Sequence, residues 1–373
     1  MAQDKITRSA YQTQHTGEYA DAADILGRRY VKAEDLRYGT NPEQTAALYK
    51  PEGGPRLIGD MKRLKTGKGG LSQTNYEDIS YSLNICKYFP RPACACMKHV
   101  NPSGAAVAAA GDRLIDVYRK ARDCDPRAAF GSVVTFNAPV DAETAREIMS
   151  TFVECVVATG YGPGVLEIFN DSETYKLNKQ IRILEVAGLD RLPRYVGDDI
   201  GGYQTFKVLC DGTLVVADPI LTKIRGVADL RPATATDAKL GDIQATVPAT
   251  PQQLEDLLAA WYINISVRSN GVVIVKNGGT LAVGTGEQDR VGAVENAIWK
   301  FQGKYGGRET LAGAAMASDG FFPFADGLEA AAKAGVRAVI APAGSIKDYD
   351  VIARANAMGV AFYHAPERIF SHH

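Results

Sequence analysis

The chain has 373 residues, of which 46% are hydrophobic and 23% are charged. These proportions suit a globular protein and exclude a disordered or collagen-like chain, while the length suits about two or three domains. The formal net charge of -1 gives no strong field for nucleic acid or membrane, so we expect neither as a partner. An anionic small molecule would have to be held by local cationic groups.

The cysteines and the N-terminal composition indicate where the protein works. Six cysteines occur without the dense, even spacing of a disulfide scaffold, which favours buried free thiols in a reducing compartment. The N-terminal segment contains acidic residues and no apolar run, so we expect no signal peptide. No stretch approaches the ~20 apolar residues of a membrane span. The sequence therefore predicts a soluble, cytoplasmic protein.

The first half of the chain predicts an N-terminal arm followed by an α/β domain. Residues 1–33 are polar and mixed and are interpreted as the arm, and residues 34–215 as the domain. Residues 93–100 (ACACMKHV) predict a short buried strand, and Asn101-Pro102-Ser103-Gly104 predicts a turn before a helix over residues 105–121. Further expected elements are a strand at 132–136, a helix capped by Asp141 and a strand at 156–158.

The second half of the chain repeats the alternation of strands and helices after a segment of different composition. Residues 216–250 are rich in Ala, Thr, Asp and Pro and suit a connecting segment, and residues 251–373 are expected to form a second α/β domain. Thr250 and Pro251 suit the cap and first residue of a helix. Later expected elements are strands at 272–276, 280–283, 314–317, 336–341 and 360–363, a turn at 277–279, and helices at 288–301, 326–334 and 346–358. This alternation predicts a layered α/β architecture in both halves.

The densest polar cluster, Lys98 to Gly104, follows the first buried strand. In open α/β sheets ligands gather at the carboxyl ends of strands, and Lys98 beside His99 could serve there as an acid–base pair. On spacing alone the alternative stays open that Lys98 is a surface lysine and His99 is bonded to the backbone.

Three other patterns are weaker. Gly284-Thr285-Gly286 and Gly344-Ser345 precede predicted helices but lack the spacing of a phosphate-binding loop. The segment from Ser318 to Phe324 places three phenylalanines around a proline, which suits either an aromatic wall for a flat heterocycle or a hydrophobic plug. The histidines and Cys94-Ala95-Cys96 do not match a zinc-ligand pattern, so we expect no metal ligands.

Eight strings, in order from residue 36 to the end, resemble the AICAR transformylase family. They are Leu36-Arg37-Tyr38-Gly39 with Asn41-Pro42 and Gln44; Leu71-Ser72 with Asn75; Lys98-His99 through Gly104; Asp125-Pro126 with Ala129-Phe130-Gly131; Arg268-Ser269-Asn270; Gly284-x-Gly286-x-Gln288-x-Arg290; Ser318 through Phe324; and Gly344-Ser345. Arg368, Phe370 and His372 match the tail. Each string alone is moderately specific, and their preserved order makes the resemblance specific.

The resemblance implies a fold and a reaction. The fold would be two cytidine-deaminase-like three-layer α/β/α subdomains related by duplication and free of zinc, in a homodimer with shared active sites. The reaction would transfer the formyl group of 10-formyltetrahydrofolate, as co-substrate, to the 5-amino group of AICAR (5-aminoimidazole-4-carboxamide ribonucleotide). Some members of the family also hold a monovalent cation, so K+ is an expected structural ion without assigned ligands.

The resemblance also implies residue roles. Lys98, His99 and Asn270 would carry the chemistry, with His99 accepting the amine proton and Lys98 or Asn270 stabilising the oxyanion or the leaving nitrogen. The implied substrate-binding residues are Arg37, Tyr38, Gly39, Asn75, Asp125, Phe130, Gly131, Arg268, Arg290, Asp319, Phe321, Phe322, Pro323, Arg368, Phe370 and His372. Arg37 and Arg290 are the expected phosphate ligands, because a guanidinium binds phosphate through two parallel hydrogen bonds.

Three departures from the family limit the expectation. Bifunctional members carry a cyclohydrolase domain in front of the matched region, so a stand-alone formyltransferase with a separate IMP cyclohydrolase elsewhere is expected. Glu43 stands where the family often has a histidine, and His373 is one residue beyond the usual end. The alternatives are a catalytically silent nucleotide-binding member and an amidohydrolase or deaminase on the same fold. Formate with ATP as the formyl donor is disfavoured because no P-loop string is present.

Overall fold

The computed structural model describes residues 10–305 and 307–372. The helices in these ranges are α1 (Gln73–Cys86), α2 (Leu114–Asp123), α3 (Pro126–Ala129), α4 (Ala142–Met149), α5 (Val165–Asn170), α6 (Pro251–Asn264), α7 (Arg290–Tyr305), α8 (Asp326–Ala334) and α9 (Asp348–Ala357). The strands are β1 (Ala22–Ile25), β2 (Arg28–Asp35), β3 (Ala47–Pro51), β4 (Lys62–Lys65), β5 (Ala93–Lys98), β6 (Asn101–Val107), β7 (Val133–Phe136), β8 (Cys155–Ala158), β9 (Arg182–Glu185), β10 (Thr205–Val208), β11 (Leu214–Ala217), β12 (Arg231–Pro232), β13 (Thr234–Asp237), β14 (Gly241–Gln244), β15 (Val272–Lys276), β16 (Gly279–Gly284), β17 (Ala315–Ser318), β18 (Ala338–Pro342) and β19 (Ala361–Ala365).

The described chain divides into two compact units. The first contains the described residues up to Ser103 and the segment Ala110–Asp190. The second contains Gly104–Ala109 and the described residues from Arg191 onward. The predicted domain bounds of 34–215, 216–250 and 251–373 stay a prediction.

The first unit contains two sheets. β1, β2 and β3 form an antiparallel sheet, and β5, β7, β8, β9 and β4 lie side by side in that order. β7, β8 and β9 are parallel to one another, whereas β5 and β4 run antiparallel to their neighbours. β5, β7 and β8 are buried throughout apart from Lys98, because their runs of Val, Ala and Cys are apolar on both faces. α1 packs on β5 and β7 and buries Ile79 and Leu83.

The second unit has a comparable arrangement. β16, β15, β17, β18, β19 and β12 lie side by side in that order. β17, β18 and β19 are parallel, and β15 runs antiparallel to both of its neighbours. Two separate hairpins, β10–β11 and β13–β14, complete the unit. The core gathers residues of the strands with α7, α8 and α9, including Val294, Leu328, Ile352 and Phe362.

The α/β class predicted from the sequence is confirmed, and several element boundaries agree closely. Asp141 caps α4 by accepting the backbone N–H of Thr144 at 2.7 Å. Thr250 caps α6 and Pro251 is its first residue. The cytidine-deaminase-like identity of the two subdomains stays a prediction. Within the described residues, no helix is long and apolar enough to cross a membrane.

One local prediction was wrong in a way that matters for the site. The chain does not turn at residues 101–104 and enter a helix; it turns at His99 and Val100 and continues as β6. The run after Gly104 is buried from Ala105 to Ala108, as in an interior strand, so its apolar spacing was misread as helical. Of the proposed N-terminal arm, residues 1–9 lie outside the described residues, and β1 and most of β2 form a hairpin.

Candidate functional site

The basic pair lies at a tight turn that ends the buried strand β5. Lys98 is half-buried and His99 is exposed. His99 and Val100 both have positive φ, 53° and 61°, which lets them connect β5 to β6 in two residues. The alternation of a regular strand would have pointed Lys98 and His99 to opposite faces. Because the strand ends at Lys98, the left-handed turn sets the direction of His99 instead.

Lys98 reaches a neighbouring loop rather than solvent. Its Nζ donates to the carbonyl oxygen of Phe130 at 2.6 Å. Within the described part of the chain, no carboxylate lies within ion-pairing distance of this amine. Gly131 follows with φ 77°, and a Cβ built there would stand 3.5 Å from Nζ and 3.2 Å from the Phe152 ring. The amine is thus held in place while its charge is not neutralised by an acid.

The loop that meets Lys98 is fixed from both ends. Asp125 caps the short helix α3 by accepting the N–H of Ala128 at 3.1 Å. The N–H of Gly131 donates to the carbonyl of Phe152 at 2.8 Å, and the rings of Phe130 and Phe152 are 5.3 Å apart. Phe130 itself is 52% exposed. Asp125 therefore shapes the loop, and Phe130 presents an aromatic surface beside the lysine.

A second polar group surrounds the start of α1. Arg37 is 4% exposed, donates from Nη2 to Asn75 Oδ1 at 3.1 Å, and lies 4.7 Å from the ring centroid of Tyr38. Burial, with the nearby Arg182, lowers the pKa of Arg37. The Nε of Arg37 is buried without a hydrogen-bond partner. Gly39 is also buried, and its N–H donates to the carbonyl of Gln44 at 2.8 Å.

Asn75 is hydrogen-bonded to protein groups at both its amide oxygen and its amide nitrogen. Its Oδ1 also accepts the N–H of Ser72 as part of the capping box of α1, and its Nδ2 donates to Glu154 at 2.9 Å. Arg182 Nη1 lies 3.8 Å from the same Glu154 carboxylate. Sequence reasoning missed Glu154 and Arg182, since neither stands in a recognisable string. Only the structure shows that Arg37 is buried beside a second arginine, Arg182.

The second unit holds its own polar cluster around Arg290. The Arg290 guanidinium is 7% exposed and pairs with the fully buried carboxylate of Asp319. Its Nη2 donates to Asn270 Oδ1 at 2.6 Å, and Asn270 Nδ2 donates to the Glu287 carbonyl at 2.8 Å. Asp319 also accepts from Ser269 Oγ at 2.5 Å and from the Gly271 N–H at 2.9 Å. Arg290 and Asn270 are therefore engaged with protein partners.

The C-terminal tail packs against this cluster. The ring of Phe370 lies 4.4 Å from the Arg368 guanidinium, 5.6 Å from that of Arg290 and 5.9 Å from the His372 ring. Arg268 forms an isolated parallel bridge with Ser371. A Cβ on Gly320 would come within 2.6 Å of the Phe370 ring, so a glycine is needed where the tail passes. Phe370 thus lies against Arg290, and Arg368 and His372 lie against Phe370.

The aromatic loop splits between surface and core. Phe321 is 38% exposed, and Pro323 and Phe324 are also exposed. Phe322 is 2% exposed and packs with Phe362 at a ring distance of 6.3 Å. Phe322 is therefore placed as a core residue, and Phe321 is left as the exposed ring nearest to Asp319 in the sequence.

The sequence-predicted residues thus fall into three groups: Lys98 with Phe130 and Gly131; Arg37 with Tyr38 and Asn75; and Arg290 with Asn270, Asp319 and Phe370. Asp78, which sequence reasoning also missed, belongs beside the first group: it is 5% exposed and accepts the N–H of Val100 at 2.7 Å. Burial raises the pKa of Asp78 to about 7. No group of three or more His, Cys, Asp or Glu side chains suited to a metal occurs in the described ranges.

The fold and these side chains define an α/β protein with a basic pair suited to proton transfer and with buried arginines suited to an anionic ligand. The chain belongs to the AICARFT/IMPCHase bienzyme family, whose model matches residues 2–300.

Curated relatives agree with this membership. The chain is 38% identical to the bifunctional purine biosynthesis protein PurH of Magnetococcus marinus over 352 residues, which are 92% of this chain and 60% of the relative. It is 36% identical to PurH of Anoxybacillus flavithermus, covering 94% of this chain and 61% of the relative. With PurH of Oceanobacillus iheyensis it shares 33% identity over 99% of this chain and 64% of the relative. The chain therefore spans less than two thirds of the length of these relatives.

Proposed function

We propose that this chain is a folate-dependent formyltransferase of purine biosynthesis that transfers the formyl group of 10-formyltetrahydrofolate to the 5-amino group of AICAR. The observation that carries the proposal is Lys98 beside His99 at the turn after β5, with the lysine held by the Phe130 carbonyl and not by an acid. Family membership and the purine biosynthesis role in the name of the relatives support the substrate class.

The chemistry demands a base and an acid, and the pair supplies both. The amine nitrogen of AICAR attacks the formyl carbon, forming a C–N bond, and His99 accepts the proton that the amine loses. The tetrahedral oxyanion then collapses, the bond from the formyl carbon to N10 breaks, and Lys98 donates a proton to N10. The products are the formamide of the nucleotide and tetrahydrofolate, so atoms and protons balance.

Lys98 is preferred to Asn270 as the stabilising group. Asn270 accepts from Arg290 and donates to the Glu287 carbonyl, so both ends of its amide are already engaged. The Lys98 ammonium has three donors and gives one to Phe130, which leaves donors for a developing negative charge. Exposure of His99 lets it meet a substrate without a rearrangement of the core.

Arg37 and Tyr38 are proposed to contact the nucleotide in the first unit. The Nε of Arg37 is buried and unpartnered, and an anionic oxygen would satisfy it. Arg290 is proposed as an organising residue rather than a direct phosphate ligand, because its guanidinium is committed to Asp319 and Asn270.

The decisive experiment follows tetrahydrofolate release spectrophotometrically from 10-formyltetrahydrofolate, with and without AICAR. We expect release only when AICAR is present. His99→Asn should lower kcat by about 10²-fold or more while leaving AICAR affinity, measured by calorimetry, nearly unchanged. Asparagine tolerates positive φ, so this variant removes the imidazole and keeps the turn. Release that does not depend on AICAR, or an active His99→Asn enzyme, contradicts the proposal.

A homodimer remains a proposal and has one supporting feature. On the β10–β11 hairpin the cross-strand pairs Phe206–Val216 and Val208–Leu214 lie on one face, and all four side chains are 39–68% exposed. An isolated hairpin is marginally stable, so we propose that a second copy of this chain covers the apolar face. Val208→Asp should convert a dimer to a monomer in light scattering; an unchanged mass would exclude this face.

Cytoplasmic localisation and a bound K+ remain predictions from the sequence. K+ is tested by dialysing the protein against sodium and potassium buffers and comparing its melting temperature.

A further inference from the structure

The turn that carries His99 has an unfavourable backbone. A positive φ is uncommon for a non-glycine residue, and a β-branched residue such as Val100 is among the poorest choices. Such conformations persist only when the surrounding structure holds them. Something outside the turn must therefore stabilise the conformation of His99 and Val100.

Asp78 is the group that holds it. The side chain lies on α1, one helical turn after Asn75, and is 5% exposed. Its Oδ1 accepts the N–H of Val100 at 2.7 Å. α1 is anchored by the capping box of Ser72 and Asn75, so the acceptor belongs to a rigid element.

The buried position of Asp78 is energetically unfavourable for a charged carboxylate. Burial, with smaller contributions from the nearby Glu77 and Glu154, raises the pKa of Asp78 to about 7, although hydrogen bonding from the backbone of the turn lowers it. The hydrogen bond from Val100 thus favours the charged form of Asp78. Burying the Asp78 carboxyl is unfavourable. Its hydrogen bonding to a strained turn explains why an acid stands at this position.

The second unit repeats this contact, in which an aspartate on a helix accepts backbone N–H from a following turn; we call the contact the aspartate clamp. Asp256 on α6 accepts the N–H of Asn277 at 2.9 Å and that of Gly278 at 2.8 Å. Asp256 precedes Asn277 by the same number of residues as Asp78 precedes His99. There the turn residues are asparagine and glycine, which adopt positive φ readily. The aspartate clamp therefore stabilises a less favourable turn conformation in the first unit than in the second.

We propose that Asp78 is a positioning residue for His99: by accepting the backbone N–H of Val100, it fixes the left-handed turn that directs the imidazole. This inference rests on the proposed function for its effect on turnover, although the conformational part stands apart from it. Asp78 touches neither substrate nor the reacting atoms in this role.

Kinetics of Asp78→Ala test the effect on turnover. We expect kcat for formyl transfer to fall by about 10- to 100-fold, as a misplaced catalytic group does, with KM for both substrates within about twofold. Asp78→Asn keeps one acceptor for Val100 and should retain more activity. The matched control is Asp256→Ala, which removes the same clamp from the second unit and should keep kcat within about twofold. Equal losses of kcat in the two alanine variants overturn the proposal.

The conformation of the turn is read independently of activity. The His99 imidazole signal is assigned in a proton–carbon spectrum by its absence from His99→Asn, and it should shift or broaden in Asp78→Ala but not in Asp256→Ala. If Asp78→Ala does not fold, Asp78→Asn is used for the same comparison. An unchanged His99 signal in Asp78→Ala would exclude the positioning role of Asp78, even if the enzyme transfers formyl groups. A shifted signal in a protein without formyl transfer supports the role and rejects only the proposed reaction.

Discussion

The two units contain the same helix–strand–turn segment, and they use it differently. α1 and α6 each have 14 residues and each begins with a capping box, Ser72 with Asn75 and Thr250 with Gln253. Each helix is followed by a buried strand that ends in a lysine, Lys98 in β5 and Lys276 in β15. Asp78 and Asp256 occupy the same position in their helices and hold the turn after that lysine.

The strand pairing is also repeated. β5 pairs antiparallel with β7, which is parallel to β8; β15 pairs antiparallel with β17, which is parallel to β18. One segment is therefore built twice from sequences that share an apolar pattern, the helix caps, the helix aspartate and the strand-ending lysine. The strand residues themselves can differ, because a buried strand needs only apolar residues of suitable size.

The difference between the copies lies at the turn. The second copy has Asn277 and Gly278, the pair that suits a two-residue hairpin, and its Lys276 is paired with Glu309 at 2.9 Å. The first copy has His99 and Val100, of which the β-branched valine suits the turn poorly, and its Lys98 donates to the Phe130 carbonyl. Residues that fit their backbone badly persist where function needs them. The comparison teaches that the second copy has turn residues that favour stability, whereas the first copy has the residues to which we assign the proposed chemistry.

The largest expected effect separates the two lysines. Lys98→Met should lower kcat for formyl transfer by about 10²-fold or more, because the amine that protonates N10 is lost. Lys276→Met should leave kcat within about twofold and lower only the melting temperature, because it removes an ion pair with Glu309. Steady-state kinetics and thermal unfolding of both variants check this. Equal kinetic losses in the two variants would remove the functional distinction between the copies.

The next largest effect concerns the buried charges of the second unit. Arg290 and Asp319 are 7% and 0% exposed, and removing one partner leaves the other charge buried and unpaired. Arg290→Met should therefore lower the free energy of unfolding by about 3–5 kcal/mol. The control is Arg354→Met, which breaks an exposed pair with Glu329 and should cost about 1 kcal/mol or less. Similar losses in urea unfolding would mean that the buried pair is not an organising contact.

A third effect is a pH dependence carried by Asp78. Its folded pKa of about 7 lies above the unfolded value of about 3.9, so the folded state binds the proton more tightly. The stability from this group is fully present below about pH 4 and is lost as the pH rises toward about 7, by at most about 1.4 kcal/mol per pH unit. Asp78→Asn should remove this slope from urea unfolding measured across that range. A slope that is the same in both proteins would show that other groups carry it.

The sequence predicted the framework better than the details of the site. The apolar strands and the caps at Asp141 and Thr250 are local signals, so they were found where the structure has them. The turn at His99 and Val100 was missed because valine resists positive φ, and because the carboxylate of Asp78 that accepts the Val100 N–H belongs to another element. A partner from another element cannot be inferred from the turn's own residues.

The same limit applies to the arginines. Arg37 and Arg290 look equivalent in the sequence, yet one retains an unpartnered buried Nε and the other is paired with Asp319. The residue that neutralises a buried charge stands far along the chain, so the assignment of a phosphate ligand needed the structure.

The smallest expected effect tests the turn itself. Val100→Gly should raise the free energy of unfolding by about 1 kcal/mol, because glycine adopts the positive φ that valine resists. The reciprocal change, Gly278→Val, should destabilise, since a Cβ there would stand 2.4 Å from the Val107 carbonyl oxygen. Urea unfolding of both variants gives the sign of each change. If Val100→Gly brought no gain, the left-handed turn of the first copy would be relaxed, and the unusual residues at His99 and Val100 would carry no energetic cost for a catalytic role to explain.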